Sequence, residues 1–406
     1  MTINTHFHFD SKFKSINLSF RFYIPFKPID NTKFVLLSEL MDDRNVLYPT
    51  KEAMLFQLDN LFGATLRTRV SAVGNYHQLE IRLTGVSDTF IEENIQDQMF
   101  QLLSQVVYQP LINEETLSEA KSNLSDRLLR QKEKPNTYAT LRAFEIAGEN
   151  QPLSISSGGT YEEIENIQLE DMLNFHQSVI KEAMAVLLVV GHFDQDRATT
   201  SINSHIKSHP VIDSSLFAYK LNKKSHQHVS EVLPISQASL IKIYSSQINI
   251  QSPNYEAYRL GTIILGQLPT SYLFQEVREK HSLAYSVGAT TIGFDGVLLM
   301  NTQLANQNIS LANQLMDEQL NKIKTGNISE ALLDGAKLMI HNSLLTVQDD
   351  ETLILHQLGQ SVLTNNYLGI QERFQRYQQV EIEDIVKAFC EVNEILTYEL
   401  RGNEND

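Results

Sequence analysis

Arg278 and Tyr285 stand seven residues apart in the run Leu273-Phe274-Gln275-Glu276-Val277-Arg278-Glu279-Lys280-His281-Ser282-Leu283-Ala284-Tyr285-Ser286-Val287. Arginine is a permanently charged, planar fork of donors, and tyrosine carries one phenolic donor on an apolar ring. Two such donors on neighbouring elements can hold carbonyl oxygens or a developing oxyanion. The same residues on an ordinary surface are a solvated charge and a half-buried sheet aromatic. The run alone leaves both readings open. Phe274 and Val277 share a helical face, and Leu283 to Val287 reads as a strand start. The pair therefore spans a helix end and a strand start.

The other reactive residue types form no recognised centre. Among 12 histidines, neither H-E-x-x-H nor H-x-x-E-H occurs. His6 and His8 share one face of a short strand. His205 and His209 have helical i, i+4 spacing, and His226 and His228 lie two apart. None of these pairs has a carboxylate spaced to complete a metal site, so each reads as solvent-exposed. There is no G-x-S-x-G elbow, P-loop or dinucleotide glycine pattern. The single cysteine, Cys390, sits beside Phe389 on an amphipathic helix and reads as core. One cysteine excludes an intramolecular disulfide and a thiolate zinc site.

The elements that must position these residues come in two similar series. Ile16, Leu18, Phe20 and Phe22 alternate with Ser15, Asn17, Ser19 and Arg21, which predicts a half-buried strand over 15–24. Helices are predicted from Lys33 to Met41 and after Thr50, an N-cap, with Gly63 just past the end. Leu79, Ile81 and Leu83 mark another strand. Helices follow over 91–107, 114–132 (stopped by Pro135), 138–148 and 168–180. The apolar run Met184 to Val190, ended by Gly191, is a buried strand.

The pattern then restarts. Ile112, Glu114, Leu117, Ala120, Lys121, Leu124 and Leu128 recur as Ile328, Glu330, Leu333, Ala336, Lys337, Ile340 and Leu344, at a constant offset of 216. Leu169 to Leu173 recurs as Ile382 to Val386. A period this long means two copies of one domain, not a solenoid. Strands mixed with runs of helices give the α+β class. The expected organisation is an N-terminal domain over 1–205, a linker over 206–230 and a C-terminal domain over 231–406.

With 406 residues the chain can bury two real cores. Its formal charge of -16, without a basic stripe, speaks against a nucleic-acid partner. No run reaches the roughly 18 apolar residues that span a bilayer. Asp10, Lys12, Lys14 and Arg21 interrupt the first residues, so no signal peptide is read and a cytoplasmic protein is expected.

The opening run, with Leu265-Gly266 before it, resembles the C-terminal-domain signature of the pitrilysin/insulinase superfamily of zinc metallopeptidases. Tyr48-Pro49-Thr50 with Leu61-Phe62-Gly63-Ala64 resembles a second segment of that family. Leu187 to Gly191 with His192-Phe193-Asp194 resembles the strand closing its first domain. The resemblance implies two homologous α+β domains, each an antiparallel-rich sheet packed by helices, arranged as a clamshell around a peptide. Counting back from Tyr48, the family's H-x-x-E-H falls on Val35-Leu36-Leu37-Ser38-Glu39. Both histidines and the general-base glutamate are replaced, by Val35, Glu39 and Ser38. The third ligand falls around Ser125 to Arg127, where Asp126 is the only carboxylate. Zinc needs three protein ligands and an open position, so no metal or other cofactor is expected on this chain.

Arg278 and Tyr285 match the family's pair that reaches toward the substrate carbonyl. The resemblance is nearest to the Gram-positive insulinase-like proteins that occur with a zinc-bearing paralogue. It implies a non-catalytic, peptide-binding subunit of a heterodimer, with zinc on the partner alone. A homodimer is the alternative state of the isolated chain. The alternative function is a structural or interaction protein on a retired peptidase fold.

Overall fold

Two series of elements follow one another along the chain, and the computed structural model describes residues 3–27, 30–154, 159–222 and 225–403 of it. The first series comprises β1 (Asn4–Phe9), β2 (Ser15–Pro25), α1 (Asn31–Asp43), α2 (Lys51–Asn60), β3 (Thr65–Val73), β4 (Tyr76–Val86), α3 (Gln96–Tyr108), α4 (Glu114–Lys132), α5 (Pro135–Ala147), α6 (Tyr161–Asn166), α7 (Leu169–Glu182), β5 (Met184–Gly191) and α8 (Gln195–His205). The second comprises β6 (Gln227–Val232), β7 (Ala238–Ser245), α9 (Tyr255–Gly266), a π-helix (Phe274–Lys280), β8 (Ala284–Ile292), β9 (Val297–Leu304), α10 (Ile309–Lys324), α11 (Glu330–Val347), α12 (Glu351–Thr364), α13 (Ile370–Gln378), α14 (Ile382–Phe389) and β10 (Asn393–Arg401).

Each series builds a five-stranded mixed sheet of the same topology, in the orders β1-β5-β2-β4-β3 and β6-β10-β7-β9-β8. In each, the first pair is parallel and the other three are antiparallel. Identical strand orders and pairings are the structural counterpart of the repeat in the sequence. The fold is α+β, with two sheets packed by helices. Among the described residues no helix is long and apolar enough to cross a membrane.

The local signals act as their chemistry dictates. Thr50 caps α2 by accepting the Ala53 amide at 3.1 Å, and Gly63 follows in the left-handed region with φ 73°. Ile16, Leu18, Phe20 and Phe22 lie in the first core, with the apolar faces of α1, α3 and α7. Pro135 opens α5 at a first-turn position, where its missing N–H costs nothing.

Strand β2 departs from the half-buried expectation. Its polar residues Asn17, Ser19 and Arg21 are buried as well. Helix α12 covers them, reaching the strand from 336 residues away: Glu351 accepts the Ser15 hydroxyl at 2.6 and 2.8 Å. Where α12 passes closest it carries Gly359, because a Cβ there would fall 1.9 Å from the Arg21 guanidinium. In the other sheet α5 plays the same part with apolar residues, packing Ala139, Ala143 and Ala147 in one cluster with Ile241, Ile243 and Tyr398.

The chain therefore divides into compact units that are not contiguous. One comprises Met1–Leu128, Ser157–Ser214 and Val347–Tyr367; the other comprises Leu129–Ser156, Ser215–Thr346 and Leu368–Asp406. This differs from the contiguous division at 206–230, because α5 and α12 each belong with the sheet of the other half. The expected linker also ends in β6, an edge strand. A strand open to solvent on much of both faces needs few apolar residues, so its composition read as a linker. Residues 223 and 224 of that stretch lie outside the described residues.

Candidate peptide-binding pair and vacant metal position

Arg278 sits in the π-helix and Tyr285 at the start of β8, the edge strand of the second sheet. Two local irregularities aim them. The π-helix is a wide turn, a form that recurs at functional sites. It closes through bonds from the His281 amide to Glu276 and from the Leu283 amide to Val277, around Ser282 at φ 51°. The β8–β9 register then shifts between Ala284 and Ser286, so Tyr285 is the extra residue of a β-bulge. The bulge turns its ring out of the sheet, leaving Tyr285 83 % exposed.

The two side chains meet. The Arg278 guanidinium lies 5.2 Å from the Tyr285 ring centroid and 4.5 Å from that of Phe274. Two aromatic rings thus hold the cation at cation–π distance. Its nearest carboxylate is Glu279, at 3.6 Å. Val277, on the opposite side of the turn, is fully buried and anchors it. The arrangement presents a fork of N–H donors and a phenolic O–H together, beside a strand edge. Such donors can orient a peptide carbonyl and stabilise negative charge on it.

Gly266 explains why this strand can lie where it does. At the end of α9, a Cβ on Gly266 would fall 2.4 Å from the Ala289 amide nitrogen of β8. The Gln267 side chain donates to the Ala289 carbonyl at 3.0 Å, binding the helix end to the strand. Gly266→Ala therefore pushes β8 from α9. We expect a loss of about 1–2 kcal/mol from overpacking, read as a lowered denaturation midpoint. A change below about 0.3 kcal/mol, within the range of neutral surface substitutions, would refute the close-packing role.

In the first unit, the three motif positions fall together on α1. Val35 is buried and offers no donor. The Ser38 hydroxyl donates to Thr68 Oγ1 at 2.9 Å, and Thr68 Oγ1 donates to the Ser38 carbonyl at 2.7 Å. Glu39 meets Arg127 of α4, with Nη1 2.7 Å from Oε1. Asp126, the carboxylate expected at the third-ligand position, is exposed. The residue that faces the motif is its neighbour Arg127. An arginine guanidinium next to the one remaining carboxylate repels a divalent cation, and valine cannot ligate one. Zinc does not fit this residue set, and among the described residues no group of three or more His, Cys, Asp and Glu could hold a metal. Sequence reasoning missed Arg127 because it sought ligands, not a replacement cation.

Burial raises the Glu39 pKa above its ordinary value of 4.5, and the Arg127 charge lowers it less. With a raised folded pKa, the native state holds the extra proton above pH 4.5. Stability then falls as pH rises through that window and levels off above the folded pKa. Glu39→Gln removes this slope. The melting temperature of the variant relative to wild type is expected to increase from pH 4.5 upward and then stay constant. A difference independent of pH would show that Glu39 carries no such burden.

The remaining candidates resolve into structural roles. His209 is buried, not exposed: its ring packs edge-on to Phe22 at 5.1 Å and bonds the Tyr108 hydroxyl at 3.1 Å. Burial lowers its pKa to about 4. The helical spacing with His205 did not hold, because α8 ends at His205. His205 instead bonds Asp97 at 3.2 Å. His6 stacks on Tyr367. His226 and His228 contact Glu394 and Glu399 of β10. Cys390 is exposed and not core, because α14 ends at Phe389 and the thiol falls beyond its apolar face.

Comparison with known proteins agrees with this geometry. The family model described as "Peptidase M16 inactive domain" matches residues 166–340. The probable inactive metalloprotease YmfF of Bacillus subtilis (strain 168) is 24% identical over 413 residues, covering 99% of this chain and 96% of that protein. The crystal structure of a conserved protein from Enterococcus faecalis V583 superposes with a TM-score of 0.91 at 24% identity, covering 99% of this chain and 97% of that one. A peptidase M16 inactive domain from Pseudomonas fluorescens gives a TM-score of 0.80 at 19% identity, covering 98% and 95%. With its duplicated sheets, and with Val35, Ser38 and the Glu39–Arg127 pair at the positions where the resemblance puts the metal motif, the chain is similar to inactive members of the M16 peptidase family.

Proposed function

We propose that the chain is the non-catalytic, peptide-binding subunit of a heteromeric zinc metallopeptidase. Arg278 and Tyr285 are its contribution to the active site of a zinc-bearing paralogue. The observation that carries this reading is the paired irregularity: a π-helix and a β-bulge bring a cation and a phenol together and hold them outward. Both distortions are forms that recur at functional sites. The β8 edge offers unpaired backbone groups to an extended peptide, which can add as a further strand. Arg278 and Tyr285 at its start then reach the peptide carbonyl. A cytoplasmic setting suits the single thiol.

The test is co-expression with a paralogue that carries H-x-x-E-H. The expected result is a stoichiometric complex that cleaves an internally quenched peptide, while this chain alone cleaves nothing and holds no stoichiometric zinc. Absence of a complex, or zinc-dependent cleavage by this chain alone, would refute the proposal.

A further inference from the structure

The first sheet carries an excess of arginine on one face. Cross-strand register places Arg67 of β3 opposite Arg82 of β4, and Arg69 opposite Glu80. On the other side of β4, Glu80 faces Arg21 of β2. Glu80 is already committed to Arg21, whose Nε and Nη2 lie 3.1 and 3.0 Å from its Oε1. Arg82 spends its donors on Asn17, at 2.8 and 3.3 Å, and on Thr352 of α12, at 3.1 Å. Arg67 and Arg69 are exposed and make no ion pair within 4.0 Å among the described residues.

Like charges directly opposite one another destabilise a strand pair. Here the Arg67–Arg82 pair persists in a chain whose overall charge is -16. Burial lowers the Arg82 pKa, and the nearby Arg21 and Arg67 charges add to that against the carboxylates of Glu80 and Glu351. A carboxylate of the chain itself already lodges at this edge: Asp42 accepts the Thr68 amide of β3 within the field of Arg67.

The spacing of the free arginines selects the form of the ligand. β3 is the edge strand of its sheet, and residues two apart along it point the same way. Arg67 and Arg69 therefore repeat at about 7 Å, the repeat of alternate side chains in an extended peptide. The net negative charge of the chain opposes a polyanion such as nucleic acid, whereas a short acidic segment answers only the local excess. We propose that Arg67 and Arg69, exposed beside the committed Arg82, take the acidic side chains of an extended peptide, with carboxylates at alternate positions. This rests on the reading of the chain as a peptide binder and names the class of peptide.

The experiment uses the full chain alone and three fluorescein-labelled ten-residue peptides. One has Asp or Glu at alternate positions, one has the corresponding amides, and one has the same acidic residues placed consecutively. Fluorescence anisotropy should show the alternating acidic peptide binding about tenfold tighter than its amide analogue. The consecutive peptide should bind more weakly than the alternating one, and the preference should shrink as salt rises. Arg67→Gln/Arg69→Gln, both exposed and therefore compatible with folding as checked by thermal melting, should abolish the preference while keeping the affinity for the amide peptide. Equal binding of acidic and amide peptides, or a preference that survives the double substitution, overturns the inference. So does tighter binding of a single-stranded oligonucleotide than of the acidic peptide. No partner or cleavage is involved, so any of these results leaves the role of Arg278 and Tyr285 to its own test. Failure of every peptide to bind overturns the inference, while the role of Arg278 and Tyr285 is still decided by the complex formed with the paralogue.

Discussion

Arg278→Ala is expected to lower the kcat of a peptide-cleaving complex by about a hundredfold, the loss typical of removing one donor that stabilises an oxyanion. The guanidinium is already in place between Phe274 and Tyr285, so its donors need little reorganisation to meet developing charge. If they act on the transition state, kcat and kcat/KM fall together; if they only hold the peptide, KM rises at constant kcat. Tyr285→Phe removes one hydroxyl and keeps the ring beside the arginine, so a smaller loss, about tenfold, is expected. The two side chains touch, so the double variant should lose less than the product of the single effects. Unchanged turnover in all three variants, with the complex intact, would assign the chain to the alternative role of a structural or interaction protein.

Lys242→Met is expected to destabilise the protein by about 3–4 kcal/mol, the cost of breaking a buried ion pair on one side. Lys242 lies in the middle of β7 and is only 1 % exposed. Its ammonium donates to Asn313 and Asp317 of α10 at 2.6 and 2.7 Å and lies 3.2 Å from Glu394 of β10. The Tyr244 hydroxyl also donates to Asp317, at 3.3 Å. Burial, together with the same two carboxylates, raises the Tyr244 pKa, so the phenol stays protonated and keeps its proton for Asp317. Methionine matches the lysine stem in length but leaves Asp317 and Glu394 facing each other without their cation. Urea denaturation should show a lower midpoint with an unchanged slope. Adding Glu394→Gln should recover part of the loss, because it removes one of the stranded charges. A loss below about 1 kcal/mol would show that solvent at Asp317 already carries most of the charge.

Much of the fold was legible because it depends on neighbours in the chain. The alternation of Ile16, Leu18, Phe20 and Phe22, the Thr50 cap and the Met184–Val190 run are local signals, and the corresponding elements form within a few residues of their expected ends. The 216-residue repeat anticipated two sheets, and they have one strand order. The weak spots were also local in cause. β6 has the composition of a linker because an edge strand can be polar, and His209, read as exposed in that polar stretch, is buried against Phe22 and Tyr108.

By itself the sequence determined the composition of the chemistry: an arginine and a tyrosine seven residues apart, and no histidine at the metal motif. Only the tertiary structure decided where those residues lie and how far they are exposed. The bulge that exposes Tyr285 arises from pairing with β9, and the π-helix brings Arg278 over its ring. Arg127, the cation that pairs with Glu39, comes from a helix far along the chain. The arginine face exists only once β3, β4 and β2 are in register. The exchange of α5 and α12 is likewise invisible in periodicity. The physical reason is the same in each case. Periodicity records which face of an element is apolar, but it does not record which distant element will cover that face. Burial, charge pairing and exposure are set by that partner.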